Sequence, residues 1–214
     1  MQSHFSTRLP GSVPRLYGAY PEIGGLVIFM EATKSSLLPL CGMLDEDAVR
    51  YVVKQLMLRV HLLQLDGAKH GDIKPANIFV TEDAQVMMGD LGCGEWTGEN
   101  GQWSIICRTP GYWAPEIDDQ DSVFPITWRA DIHSIGVVMT DLKDDCSNFS
   151  DEARNLAFDM QEENPEDRPM WENAHFQRWA GVHGEEVENA RAGKWDDPPP
   201  SFVDAVERYL KGLF

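Results

Sequence analysis

Residues 69–92 read KHGDIKPANIFVTEDAQVMMGDLG and leave the chain little choice of local structure. Two short β-type runs, NIFV and QVMM, stand on either side of the turn TEDA, the composition of a tight hairpin. Polar loops bracket it, HGDIKPAN before and GDLG after. Upstream, residues 45–66 place Val49, Val52, Val53, Leu56, Val60 and Leu63 at helical spacing, with Asp45 positioned to cap the helix. A small β element beside a long, largely apolar helix makes this an α+β chain, and the remaining pattern makes it mainly helical.

That pattern runs as follows. PRLYGAY and GLVIFMEA flank PEIGG and read as a second hairpin-like pair, while residues 1–14, polar and broken by Gly and Pro, read as irregular. Residues 90–116 read as one long loop, a length that marks function or disorder. WRADIHSIGVVMTDL returns to helix. Ser150 caps a further helix carrying Ala153, Leu156, Ala157 and Met160, which ENPEDRP stops. Residues 181–200 shift to acid, Gly and Pro and read as a linker. The final SFVDAVERYLKGLF is an amphipathic helix with Ser201 as its N-cap.

Charge and cysteine content narrow the function classes. With 35 acidic against 18 basic residues, the net charge of −17 argues against nucleic acid or an anionic membrane as partner. No run reaches the length of a membrane span and no signal-type apolar region opens the chain. Cys41, Cys93, Cys107 and Cys146 form no C-x-x-C and no metal-ligand spacing, so they read as reduced thiols in an intracellular, cytoplasmic or nuclear, protein.

The loop residues suit phosphoryl transfer to a hydroxyl. Asp72 can orient the hydroxyl and take its proton, and Lys74 can neutralise charge on the moving phosphoryl group. Asn77 and Asp90 offer hard oxygen ligands to Mg²⁺. Taken singly, each has a plain explanation as a turn residue or a solvated charge. Their grouping carries the reading.

HGDIKPAN resembles the protein-kinase catalytic loop H-R-D-x-x-x-x-N, with Asn77 five residues after Asp72. DLG at 90–92 is similar to the D-F-G motif, and RTPGYWAPE ends in the A-P-E motif at Glu116. DIHSIG at 131–136 is similar to D-x-W-S-x-G. The resemblance covers roughly residues 13–179 and implies a protein-kinase-like fold, mostly the C-lobe, with a remnant of N-lobe strands and the hinge. It implies a catalytic role for Asp72 and Lys74, metal ligation by Asn77 and Asp90, and a substrate-facing Thr109. Met30, Glu31, Thr33 and Phe79 would border the ATP site. His70 is a structural core residue, Asp131 holds the backbone of the catalytic loop, and Arg168 pairs with Glu116. Lys74 places the chain with the Ser/Thr-type kinases. ATP and Mg²⁺ are the implied cofactors, and a protein substrate or a regulated protein the implied partner.

The departures are as specific. Gly71 replaces the arginine of H-R-D. The glycines before the hinge do not form G-x-G-x-x-G, and the first lysine of the chain is Lys34, so the family's Gly-rich loop, ATP-binding lysine and its glutamate partner are missing. The expected organisation is 1–33, remnant N-lobe strands and hinge; 34–179, kinase C-lobe; 180–214, linker and terminal helix. Phe29, Leu91 and Phe79 are expected to be exposed, with the terminal helix covering them, binding a partner, or packing on the underside of the lobe. Three functions fit: a Ser/Thr protein kinase, a pseudokinase or kinase mimic that binds and regulates a partner, and a degenerate gene fragment.

Overall fold

Helix α2 (Glu46–Leu65) is the axis of the molecule. The Asp45 carboxylate accepts the Ala48 N–H at 2.8 Å, and Glu46 and Asp47 sit against the positive end of the helix dipole. From Ala48 to Leu63 every side chain except Arg50 is buried, so the expected apolar helix is enclosed on all sides. The computed structural model describes residues 1–96, 109–118, 122–143 and 149–212. The eight helices of these described residues, α3 (Pro115–Asp118) and α6 (Ala174–Ala180) among them, and their short strands give the α+β, mainly helical, protein-kinase-like fold that the sequence implies.

Both hairpins form. Strands β1 (Leu16–Glu22) and β2 (Gly25–Met30) pair antiparallel. Strands β3 (Ser35–Ser36), β5 (Ile78–Val80) and β6 (Val86–Met88) make an antiparallel sheet in the order β3-β5-β6. The stretch read as one long loop contains a 3-10 turn at Leu91–Cys93 and strand β7 (Glu95–Trp96), which pairs with β4 (Ala68–Lys69). Helix α4 (Arg129–Asp141) packs on α2 and on α5 (Asp151–Met160). Ser150 caps α5 by accepting the Ala153 N–H at 3.1 Å.

Gly136 is what lets α4 approach α5. A Cβ at this position would lie 2.7 Å from Met160 Cβ and 3.0 Å from Gln161 Cγ. Gly136→Val is therefore expected to destabilise the protein by about 1–3 kcal/mol, read as a lower urea midpoint.

Several expectations fail where tertiary contacts overrule local signals. Residues 1–14 are not irregular: Gln2–Arg8 form α1, because Phe5 is fully buried and stacks on Trp96 with centroids 5.3 Å apart. Residues 181–200 are not a free linker. They contain α7 (Glu186–Arg191), and Lys54 binds the Gly181 carbonyl at 3.0 Å, Glu186 at 3.1 Å and Asp196 at 2.8 Å. Ser201 is not an N-cap. Helix α8 (Pro200–Leu210) has its cap two residues earlier, at Pro199, and opens on Pro200, where proline's fixed φ suits the helix start. The helix packs on α2 through Phe202, Ala205 and Val206 and leaves the β1–β2 hairpin uncovered. Leu91 is buried and Phe79 half-buried, while Phe29 stays 54 % exposed. Cys93 is disulfide-bonded, against the reduced state read from spacing, which cannot sense cysteines brought together by folding. Cys41 is free, and Cys107 and Cys146 lie outside the described residues. No described helix is long and apolar enough to cross a membrane.

Two groups make the fold acid-sensitive. Burial raises the Glu186 carboxyl, but the backbone N–H of His183 and the Lys54 ammonium outweigh it and bring it from 4.5 to about 2. Burial, with the Arg168 guanidinium adding to it, pushes His133 from 6.5 to about 4. The unfolded chain therefore takes up protons that the fold refuses. The His133 share of stability is lost as pH falls from about 6.5 to 4, and the Glu186 share below about 4.5. Urea unfolding at pH 7, 5 and 3 is expected to show this decline, and Glu186→Gln to flatten it only between pH 5 and 3. An unchanged profile in Glu186→Gln would contradict the assignment.

Candidate active site

The β5–β6 hairpin brings the two oxygen donors together. Ile78 pairs with Met88, so Asn77 just before β5 lies across from Gly89 just after β6, and the Gly89 N–H donates to the Asn77 carbonyl at 2.8 Å. Asp90 follows at once. A Cβ at Gly89 would fall 1.9 Å from the Phe79 ring, so any other residue there would force that ring to move. Asp90 adopts the left-handed conformation, with φ 56° and ψ 64°, and its exposed carboxylate accepts the Gly92 N–H at 3.3 Å. That conformation is uncommon outside glycine and is found at functional loops.

The loop carrying Asp72 is held from below by α4. The buried Asp131 carboxylate accepts the backbone N–H groups of His70 at 2.7 Å and Gly71 at 2.8 Å. His70 is buried beside it. Its Nδ1 accepts the Asp72 N–H at 3.3 Å, which leaves Nε2 to donate to the Gly89 carbonyl at 2.9 Å. The imidazole thus ties the Asp72 loop to the strand end before Asp90. Gly71 has φ 79°, and a Cβ there would meet the Cys93 carbonyl oxygen at 2.8 Å. Here an arginine would be strained and obstructed.

Four expected residues converge in one network. The Lys74 ammonium donates to Asp72 Oδ2 at 2.7 Å and to Thr109 Oγ1 at 2.8 Å. The Thr109 hydroxyl in turn donates to Asp72 Oδ1 at 2.6 Å. Asn77 Nδ2 donates to the Asp72 carbonyl at 2.9 Å and to Asp72 Oδ2 at 2.8 Å, which commits the amide nitrogen and leaves the amide oxygen for another partner. Burial raises the Asp72 carboxyl, but the hydrogen bonds from Lys74 and Thr109, the Lys74 charge and the Asn77 bond more than reverse it, so its pKa is lowered overall. Asp72 is a carboxylate at neutral pH.

The remaining expected residues are dispersed around this centre. Arg168 and Glu116 form a bidentate pair at 2.7 and 2.6 Å, both side chains fully buried. Met30, at the end of β2, is 43 % exposed, and the Glu31 carboxylate accepts the Arg15 N–H at 3.0 Å. Met30, Glu31 and half-buried Thr33 lie on the chain leading into β3, where Ser36 pairs with Phe79. Sequence reasoning missed the buried cations of α2, Lys54 and Arg59. Their signal was available: charged residues within an otherwise apolar helix call for specific partners.

A carboxylate gripping a hydroxyl, a lysine on the same hydroxyl, and an Asn–Asp pair beside them arise here on a loop pinned by a helix aspartate. The family model described as the protein kinase domain matches residues 10–146. Over 104 residues the chain is 34% identical to CBL-interacting protein kinase 29 of Oryza sativa subsp. japonica, covering 49% of this chain and 23% of that one. Over 97 residues it is 31% identical to inactive serine/threonine-protein kinase PLK5 of Mus musculus, covering 45% and 16%. Over 170 residues it is 28% identical to calcium/calmodulin-dependent protein kinase type 1 of Caenorhabditis elegans, covering 75% and 48%. The chain thus spans less than half the length of each of these relatives. With the family model matching well over half of its residues and the motif residues assembled in space, the chain belongs to the protein kinase family.

Proposed function

We propose that residues 34–179 carry a phosphoryl-transfer site of the Ser/Thr protein-kinase type, acting on a hydroxyl of a protein. The observation that carries this reading is the grip on Thr109. Its Oγ1 lies 2.6 Å from Asp72 Oδ1 and 2.8 Å from Lys74 Nζ, the placement an acceptor hydroxyl requires. Asp72 accepts the hydroxyl proton, and Lys74 offsets charge on the oxygens of the group being transferred. Thr109 faces the substrate. His70, Asp131 and the Glu116–Arg168 pair keep the loop and its neighbours in place. ATP bound here would supply the phosphoryl group, and Mg²⁺ would neutralise its charge.

The residues present fit the metal ion better than the nucleotide. Among the described residues nothing donates to the Asn77 amide oxygen, and Asp90 has an exposed carboxylate, which suits an ion that keeps much of its water and takes one or two protein oxygens. Phe79, Met30, Glu31 and Thr33 can border an adenine. No lysine precedes Lys34, however, and Lys34 itself is paired with Glu82 at 2.8 Å. Residues 1–214 by themselves are therefore expected to bind nucleotide more weakly than micromolar, with less than about 8 kcal/mol of binding free energy. Mn²⁺–nucleotide titration followed by electron paramagnetic resonance tests the site. Asp90→Asn is expected to weaken binding about 10- to 100-fold. Equal affinity in wild type and Asp90→Asn would overturn the metal assignment.

A second reading is a kinase mimic that binds and regulates a protein partner, as a pseudokinase does. The β1–β2 hairpin favours it, with Tyr17, Tyr20, Ile23, Leu26 and Phe29 each more than half exposed. One relative is itself named an inactive kinase. An intracellular setting goes with either reading, and the disulfide at Cys93 is the observation that weighs against it.

A further inference from the structure

Arg59 lies in the middle of α2 and is 1 % exposed. Its guanidinium is spent on carbonyls from three parts of the chain. Nε donates to Ser12 O at 3.3 Å, Nη1 to Gln55 O and Oε1 at 2.9 Å each, and Nη2 to Gly11 O at 3.2 Å and to Val86 O. Its open face is covered by Trp195, whose ring centroid lies 3.7 Å from the guanidinium carbon. The Trp195 indole N–H also donates to Pro10 O at 2.8 Å, and Gly11, at φ 79°, leaves no room for a side chain there. Trp195 is anchored in turn by its neighbour Asp196, which meets Lys54 at 2.8 Å and accepts Gln85 Nε2 at its carbonyl at 3.2 Å.

This cluster leads into the active site. Ser12 O, which Arg59 holds, also accepts the Met88 N–H at 2.9 Å, and the next amide, Gly89 N–H, bonds Asn77 O at 2.8 Å. Asp90 is the following residue. We propose that Arg59 and Trp195 are positioning residues for Asn77 and Asp90: the segment around Trp195 braces loop 10–12, and that loop fixes the end of β6 from which Asp90 projects. The inference rests on the assignment of Asn77 and Asp90 as the metal pair, but the brace itself is testable without it.

The test compares Trp195→Leu, Trp195→Phe, which keeps a ring face for Arg59, and Leu156→Ala, a destabilising change in α5 remote from the brace. Amide hydrogen exchange is followed at Met88 and Gly89, with Gly42 and Leu44 as internal references, since their N–H groups bond Asp141 O and Leu142 O at the end of α4, outside the β5–β6 hairpin that the brace holds. Trp195→Leu is expected to speed exchange at Met88 and Gly89 about tenfold relative to the references. Trp195→Phe should fall between it and wild type, and Leu156→Ala should speed all four amides alike. Mn²⁺ affinity should drop about tenfold in Trp195→Leu and hold in Leu156→Ala. If Trp195→Leu raises all four rates in proportion, or binds Mn²⁺ as wild type does, the brace is overturned. If wild type binds no Mn²⁺, the metal assignment fails, and selective exchange at Met88 and Gly89 decides the brace alone.

Discussion

Replacing Glu116 with alanine is expected to lower the unfolding free energy by about 3–5 kcal/mol. The pair it forms with Arg168 is closed off from water, with both side chains at 0% exposure and two parallel hydrogen bonds of 2.7 and 2.6 Å. Forming such a pair gains little over an apolar contact, because both ions must be stripped of water. Breaking one side is different. The Arg168 guanidinium would keep its bonds to the carbonyls of Glu162, Glu163 and Arg129, but none of these carries the opposing charge. A loss of this size is a large fraction of the 5–15 kcal/mol that typically holds a domain together. Urea unfolding measures it, and a Glu116→Ala midpoint equal to wild type would remove the pair from the account of the fold. Arg168→Met should cost at least as much, since it also frees three carbonyls.

The parts of the fold that were legible in sequence are those whose signals are local. The α2 helix announced itself by apolar spacing and the Asp45 cap, and the β5–β6 hairpin by two apolar runs about a turn. The candidate site could be read for a related reason: Asp72, Lys74, Asn77 and Asp90 sit within nineteen residues of one another, on loops whose geometry the hairpin sets. Thr109 and Arg168 could be placed only through the kinase resemblance, because their partners lie 37 and 52 residues away. What stayed hidden depends on contacts between distant segments. Helix α1 exists because Phe5 finds Trp96, and seven residues would be too few to stand as an isolated helix. The acidic stretch after residue 181 looked like a linker because its acids count as solvated by default. Two of them, Glu186 and Asp196, instead meet Lys54, a buried cation placed more than a hundred residues earlier.

The largest effect on function is expected at Asp72. Its carboxylate takes three donors at once, from Lys74, Thr109 and Asn77. An asparagine there keeps the shape but has one acceptor oxygen and an NH₂ group that would oppose a donor. It also cannot take up a proton from the acceptor hydroxyl. Loss of a positioned general base lowers rates on the order of 10²- to 10⁴-fold. The direct measurement is single-turnover transfer of the γ-phosphate from Mg-ATP, at nucleotide concentrations above its weak dissociation constant, to a pool of Ser- and Thr-containing peptides. Wild type is expected to form phosphopeptide, and Asp72→Asn to form it on the order of 10²- to 10⁴-fold more slowly while still binding Mn²⁺ through Asn77 and Asp90. Transfer at the same rate in Asp72→Asn, or none from wild type at saturating Mg-ATP, would contradict the assignment of this loop as a phosphoryl-transfer site.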